Sequence, residues 1–412
     1  MCYYSDMPIF SKKNTVDEDK VEELINRGVA NIYPTPEFLK EKLLSGERQT
    51  IYLGIDPTGP TLHIGHAVSL KKLKLFQELG HKVILLIGDF TATIGDPSGK
   101  SETRKPLTRD EVLENAKLYQ KQASKFLDFT GKNRAELKYN SEWLAKMALE
   151  DVLRLASLVT VDQMLKRDMF IKRSEEGKPI FIHEFMYPLM QGYDSVAMEV
   201  TGEMGATDQT FNMLMGRQLV RNILGKEKFV FTTKLLEDST GKKMGKTEGN
   251  VISFLDGPDE MFGKVMNWTD TMMYAGFELC TNVSFELLEK KRGQIKEDPY
   301  ASKLELAKEV VSVYYSPDDA TLAQENFLRA FKEGEISSTA TEVKTKSPTN
   351  LSQILLEQKI VPSKTEMKRL IKEGAISNTE SKEKITDIDF VIDKSSSYKI
   401  GKKRFLRVIV EN

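Results

Sequence analysis

Apolar positions along this 412-residue chain change period several times, and those changes divide it. Ile51-Tyr52-Leu53-Gly54-Ile55 is a short apolar run that predicts a buried strand, and Pro57-Thr58-Gly59-Pro60-Thr61 ends it in a turn. From His63 to Leu79 the apolar residues Val68, Leu70, Leu73, Leu75, Phe76 and Leu79 follow helical spacing. Val83-Ile84-Leu85-Leu86-Ile87-Gly88 then reads as a second strand. Strand, helix and strand make a βαβ unit, so the expected sheet is parallel, with ligands at the carboxyl ends of its strands. The alternation of strands and helices runs over 51–235, through Phe229-Val230-Phe231. Between Leu107 and Glu184 the pattern is mostly helical, which predicts an insertion between two halves of the sheet. Short amphipathic helices are expected over 14–46, and helices again over 259–333, including Tyr300–Tyr315 and Asp319–Lys332. Gly334 to Asn350 is Ser/Thr-rich and reads as a linker. Beyond it, helical patterns at Leu351–Gln358 and Lys364–Lys372 precede strand-like runs at Phe390–Ile392 and Phe405–Val410. The expected division is N-terminal helices (1–46), an α/β domain (47–257, insertion about 107–184), a helical domain (258–335), a linker (336–350) and a small α+β module (351–412).

Charge changes this picture in one place. The formal net charge is −1, which excludes a chain coated in basic residues and confines any nucleic-acid contact to a local patch. From Ser347 onward there are 13 Lys/Arg against 9 Asp/Glu, a net of +4, concentrated at Lys368-Arg369 and Lys402-Lys403-Arg404. Cys2 and Cys280 stand far apart, which offers neither a disulfide framework nor a zinc knuckle and suits the cytoplasm. No apolar run approaches the ~18 residues of a membrane span. Met1–Phe10 lacks a signal peptide's basic start and apolar stretch, and no internal repeat is evident.

The chemistry begins at His63-Ile64-Gly65-His66, which holds two of the chain's four histidines. Two imidazoles at i and i+3 on a helix N-terminus, where N–H groups and the helix dipole favour negative charge, make a candidate phosphate site. Lys243-Met244-Gly245-Lys246-Thr247 lies in a glycine-rich stretch, Gly241 to Gly249, whose two lysines could close over a polyphosphate. Two P-loop look-alikes, at Gly95–Ser101 and Gly241–Thr247, each have three residues between their glycines where the Walker pattern needs four. Together the histidine and lysine motifs resemble the "HIGH" and "KMSKS" signatures of the class I aminoacyl-tRNA synthetases, with Gly245 where that family often has Ser. The resemblance implies a Rossmann-like catalytic domain.

Further matches narrow the resemblance to the tyrosyl-tRNA synthetase family. Tyr187, Gln191 and Asp194 fall at i, i+4 and i+7 on one helical face within Tyr187-Pro188-Leu189-Met190-Gln191-Gly192-Tyr193-Asp194. The resemblance implies that Tyr187, Gln191 and Asp96 hold the substrate ammonium and that Asp194 with Tyr52 meets the phenol. Asn140 is a weaker candidate for the same site. Met204-Gly205-Ala206-Thr207-Asp208-Gln209 resembles the family's Gly-Gly-Ser/Thr-Asp-Gln turn, with Asp208 on the ATP ribose and Gln209 near the reacting carboxylate. Ala206 replaces the usual second glycine, a costly change if the backbone there needs φ > 0. Gly54, Asp56, Thr58, Gly65, Lys100 and Arg104 fall at nucleotide and phosphate positions. His183-Glu184 reads as structural. Catalysis is assigned to His63, His66, Lys243, Lys246 and Thr247. ATP enters as a substrate carrying Mg²⁺, and no protein metal site is expected. The basic tail resembles an αL-type RNA-binding domain of a ribosomal small-subunit protein, which implies tRNA(Tyr) as partner through Lys368, Arg369, Lys402, Lys403 and Arg404. The resemblance further implies a homodimer joined through the central insertion. A tryptophanyl relative and a non-catalytic RNA-binding protein with a synthetase shell are the alternatives. Tyr52 with Asp194 and the RNA-binding tail speak against the first, and the retention of both signatures against the second.

Overall fold

The computed structural model describes residues 16–98, 107–237, 251–332, 341–346, 349–379, 381, 383–401 and 404–411. Two compact units emerge. One comprises the chain up to Gly257 with Lys264–Tyr314, and the other Pro258–Gly263 with everything from Tyr315 onward.

The first unit is organised by a six-stranded sheet of β1 (Val29–Tyr33), β2 (Thr50–Ile55), β3 (Lys82–Ile87), β4 (Glu136–Tyr139), β5 (Gly202–Ala206) and β6 (Phe229–Thr233). Their order is β1-β6-β5-β2-β3-β4. Every pairing is parallel except β1 with β6 at one edge. The chain leaves β2 for β3 on one side and returns to β5 on the other. The carboxyl ends of β2 and β5 therefore flank a topological switch point, the usual place for a ligand in such a sheet. The inner strands β2, β3, β5 and β6 are mostly buried because helices cover both faces. Phe76 from helix Ile64–Glu78 packs on Phe229 and Phe231 from below, with ring centroids 6.1 and 5.8 Å away. On the other face Tyr52, Ile84, Leu86 and Val200 form a cluster flanked by Trp143 and Met198.

Two strands depart from the sequence pattern. Residues 14–46 contain β1 between helices Glu18–Asn26 and Pro36–Leu44, which are capped by Asp17 and Thr35. The mostly helical stretch 107–184 contributes β4. Both are sheet-edge strands of five and four residues, defined by partners distant in sequence and too short to show a period of their own.

The second unit carries helix Pro317–Lys332, β7 (Thr341–Lys346), β8 (Thr349–Asn350), helices Leu351–Glu357 and Lys364–Lys372, β9 (Ile376–Asn378), β10 (Val391–Ile392), β11 (Ser396–Ile400) and β12 (Arg404–Glu411). Four of these strands form a sheet in the order β7-β12-β11-β9. Its core includes Leu351, Leu355, Leu370, Tyr398, Ile400, Leu406 and Val408. β7 lies inside the stretch that composition marks as a linker. Threonine is β-branched, so Thr-Glu-Val-Lys-Thr-Lys suits a strand once the edge of β12 is available.

Candidate active site

The histidine turn is a self-contained cap. His63 has an extended backbone (φ −137°, ψ 170°), and its Nδ1 accepts the Gly65 N–H at 3.2 Å. His66 Nδ1 accepts the His63 N–H at 3.1 Å, and the two ring centroids lie 3.9 Å apart. A Cβ on Gly65 would sit 3.1 Å from the His63 ring, so glycine lets that ring fold over the turn. A neutral imidazole that accepts at Nδ1 carries its hydrogen on Nε2. On that tautomer both histidines carry their hydrogen on Nε2. The helix N–H groups themselves are engaged, contrary to the expectation of outward-facing amides. Ile64 N–H donates to the Ile252 carbonyl at 2.9 Å, and His66 and Ala67 donate to the His63 carbonyl. With its first amides engaged, this N-terminus brings the helix dipole to an anion.

Clamps fix the turn from two sides. Tyr119 Oη donates to the Gly59 carbonyl at 2.6 Å, and Gln122 bridges the Pro60 carbonyl and the Leu62 N–H. Phe254 N–H donates to the Leu62 carbonyl at 3.0 Å, so residues 252–254 run antiparallel beside the turn. Lys243, Lys246 and Thr247, just upstream of that tether, lie outside the described residues, as do Lys100 and Arg104.

At the end of β2, Gly54 and Thr58 are exposed, and Asp56 accepts from Thr91 Oγ1 at 2.7 Å and from Tyr187 Oη at 2.8 Å. Tyr187 thus meets Asp56. Asp96 instead accepts from the Ser98 N–H (2.9 Å) and Gln209 Nε2 (2.7 Å). Asn212 Nδ2 has two hydrogens and three acceptors in reach: Gln191 Oε1 at 3.0 Å, Gln209 Oε1 at 3.1 Å and Ser98 Oγ at 3.3 Å. Arg167 also donates to Ser98 Oγ, at 2.9 Å, which brings a buried guanidinium beside this cluster. Asp208 sits half-buried in the turn after β5, in the 3₁₀ segment Thr207–Gln209. Ala206 has φ −83° and ψ 165°, ordinary extended backbone, so the replacement of glycine there carries no backbone strain.

Helix Ile182–Ala197 carries the polar stripe into the fold. Asp194 is buried, accepting from Trp143 Nε1 at 2.7 Å and Asn140 Nδ2 at 3.2 Å. Burial pushes its carboxyl well above the usual range against those two hydrogen bonds. Tyr52 is fully buried, and its phenol is raised by burial and by the nearby charges of Glu203 and Asp194. Its hydroxyl lies 3.1 Å from Ser195 Oγ and 3.4 Å from the Gln191 carbonyl. Tyr52 and Asp194 belong to adjoining networks, with no hydrogen bond between them given by the structure. Glu184 forms a buried ion pair with Arg173 at 2.6 Å, while His183 stacks on Phe181.

Glu203, Lys228, Ser195, Asn212, Ser98 and Trp143 escaped the motif reading. One signal was present: a glutamate in β5 and a lysine directly before β6, each within an apolar strand context, require buried partners. In the tail, Lys368 is exposed. Arg369 is held between Glu366 and Glu373, and Arg404 donates to the Ile360 carbonyl. Lys402 and Lys403 lie outside the described residues. Among the described residues, no group of three or more His, Cys, Asp or Glu is arranged to hold a metal ion, and no helix is long and apolar enough to cross a membrane.

A parallel sheet with a histidine-capped helix at its switch point agrees with a family match. The family model for class I tRNA synthetases (W and Y) covers residues 44–332, and the chain belongs to that class. It is 45% identical to the tyrosine–tRNA ligase of Carboxydothermus hydrogenoformans, over 96% of this chain and 99% of that one. It is 42% identical to the tyrosine–tRNA ligase of Thermotoga maritima, over 96% of each. Within the class, the chain belongs to the tyrosyl-tRNA synthetase family. A crystal structure of a C-terminally truncated Aspergillus nidulans mitochondrial tyrosyl-tRNA synthetase shares the fold with TM-score 0.64 at 22% identity, covering 76% of this chain and 94% of that one.

Proposed function

We propose that this synthetase activates L-tyrosine with ATP, releasing pyrophosphate, and passes the tyrosyl group from the adenylate to the terminal ribose of tRNA(Tyr). One observation carries the choice of amino acid. The buried side chains of Tyr52 and Asp194 lie beside a cluster in which Asp96, Gln191 and Gln209 present acceptor oxygens, which suits a hydroxyl at one end of a ligand and an ammonium at the other.

The reaction asks little covalent chemistry of the protein. The substrate carboxylate is already a nucleophile and attacks the α-phosphorus as pyrophosphate leaves. The work left is positioning and stabilisation of charge growing on phosphate oxygens. His63 and His66 Nε2–H suit that charge, and Lys243, Lys246 and Thr247 are assigned to the leaving pyrophosphate with Lys100 and Arg104. Gly54, Asp56, Thr58, Gly65 and Asp208 are assigned to the nucleotide. Magnesium arrives on ATP.

A homodimer through the insertion is supported by its exposed apolar side chains: Leu149, Leu153, Val161 and Ile182 are 74%, 61%, 65% and 78% exposed. The basic tail is assigned to tRNA. Lys368→Glu with Arg369→Glu should weaken tRNA charging at low salt and leave adenylate formation unchanged.

The deciding experiment is amino-acid-dependent pyrophosphate exchange. Tyrosine should support it, and tryptophan should not. Phenylalanine lacks the hydroxyl that would bond to Tyr52 and Asp194, and two lost hydrogen bonds at roughly 1–3 kcal/mol each should make it about 30- to 10⁴-fold poorer. Equal exchange with phenylalanine and tyrosine overturns the assignment.

A further inference from the structure

Beneath the residues assigned to tyrosine lies a charged pair for which the mechanism has no use. Glu203 on β5 is 1% exposed and Lys228, directly before β6, is 0% exposed; the two form an ion pair. Burying such a pair is expensive unless the remaining lone pairs and hydrogens find partners. Here they do. Glu203 Oε1 accepts from Gln191 Nε2 at 3.0 Å, Glu203 Oε2 accepts from Ser195 Oγ at 3.2 Å, and Lys228 Nζ donates to Ser195 Oγ at 2.8 Å. Helix Thr210–Leu224 closes over the pair at Gly216, where an added Cβ would lie 2.6 Å from Lys228 Nζ and 2.9 Å from Ser195 Oγ. The site is built to hold these charges without room to spare.

The consequence falls on Gln191. An ionised carboxylate only accepts, so the Gln191 atom facing Glu203 has to be the amide nitrogen. The amide oxygen is thereby turned the other way, toward Asn212 Nδ2 at 3.0 Å, in the cluster with Gln209 and Asp96. A flipped amide would present N–H groups to an incoming ammonium, donor against donor. We infer that the buried Lys228–Glu203 pair is a positioning device for amino-acid recognition, fixing the Gln191 side chain with its oxygen toward the substrate ammonium although neither residue of the pair touches substrate. This rests on the tyrosine reading above and adds to it two specificity-determining residues.

The test uses the full-length protein and two ligands that differ in one group, L-tyrosine and 3-(4-hydroxyphenyl)propionate, which lacks the amine. Glu203→Gln can satisfy Gln191 in either orientation, so the preference is lost. The KM for tyrosine in pyrophosphate exchange should rise by roughly 10- to 100-fold, the worth of one hydrogen bond to a charged group. The inhibition constant of the deaminated analogue should move by less than about 3-fold, since one good hydrogen bond is worth more than that. The rate at saturating tyrosine should hold within the same margin. Glu203→Asp keeps the charge opposite Lys228 but withdraws it from Gln191, and serves with the same expected split if Glu203→Gln does not fold. Equal weakening of both ligands makes the pair merely structural and overturns the proposal, as does an unchanged tyrosine KM. Failure of the wild-type protein to exchange with tyrosine would be a failure of the earlier reading, visible before any variant is made.

Discussion

The histidine turn and the polar layer under Tyr52 face the same site and are built in opposite ways. In the turn, contacts span two or three residues: His63 caps Gly65, and His66 caps His63. Both imidazoles use Nδ1 on the backbone, which places their hydrogens on Nε2. In the layer, Gln191 and Ser195 of one helix, Glu203 of β5 and Lys228 before β6 close on one another and on Tyr52 of β2. The acceptors of Glu203 and Ser195 there are taken by protein donors. The difference separates a surface prepared for an anion from a scaffold that orients other side chains. The first is specified locally, and the second only once the sheet has formed.

The largest effect should come from breaking the scaffold. Lys228→Met leaves Glu203 buried without its cation, which costs roughly 3–5 kcal/mol of stability, and adding Glu203→Gln should recover part of that by removing the stranded charge. Urea denaturation measures both. A loss under about 1 kcal/mol for Lys228→Met would mean that the pair is already wet, and the contrast with the turn would collapse.

Next comes the turn. His63→Asn keeps an acceptor for the Gly65 N–H, because asparagine is a good N-cap, and removes the Nε2–H donor. Adenylate formation should slow by about 10²–10³, the usual worth of one transition-state donor, with tyrosine affinity and stability little changed. His63→Ala should show the same rate loss plus roughly 1 kcal/mol of lost capping. Pre-steady-state adenylate formation, tyrosine binding and thermal unfolding separate the three quantities. A normal rate in His63→Asn would leave His63 as a cap and nothing more.

What the sequence disclosed follows the same division. The β2–turn–helix unit, the two histidines and the polar face of Tyr187, Gln191 and Asp194 were legible because each is a local pattern of turn chemistry or helical period. That the helix amides are spent on the His63 carbonyl and Ile252 was not, since Ile252 is remote in sequence. Nor was the bond from Tyr187 to Asp56, because a helical face gives direction without distance. β1 and β4 were hidden as short edge strands, and β7 because threonine serves linkers and strands equally. Glu203 and Lys228 carried a signal, charge inside apolar strands, but no motif names their partners.

The smallest effect uses a third histidine as a control for the other two. His81 is 5% exposed and accepts the Gln49 N–H through Nδ1 at 3.3 Å, with no role proposed in the site. Burial, reinforced by the positive charge of Arg48, pushes it down to about 4. An unfolded histidine titrates near 6.5. Between those values the unfolded chain binds a proton that the folded chain refuses, so stability falls as pH falls through that window. By pH 4.5 this one residue should have removed about 2.5 kcal/mol relative to pH 7.5. His81→Asn keeps an acceptor for Gln49 and cannot titrate. Carboxylates elsewhere titrate alike in both proteins, so the stability advantage of wild type over the variant should shrink by that amount between pH 7.5 and 4.5, read from urea midpoints. A constant difference would show that His81 takes up its proton inside the fold, and that burial alone does not distinguish it from the histidines of the turn.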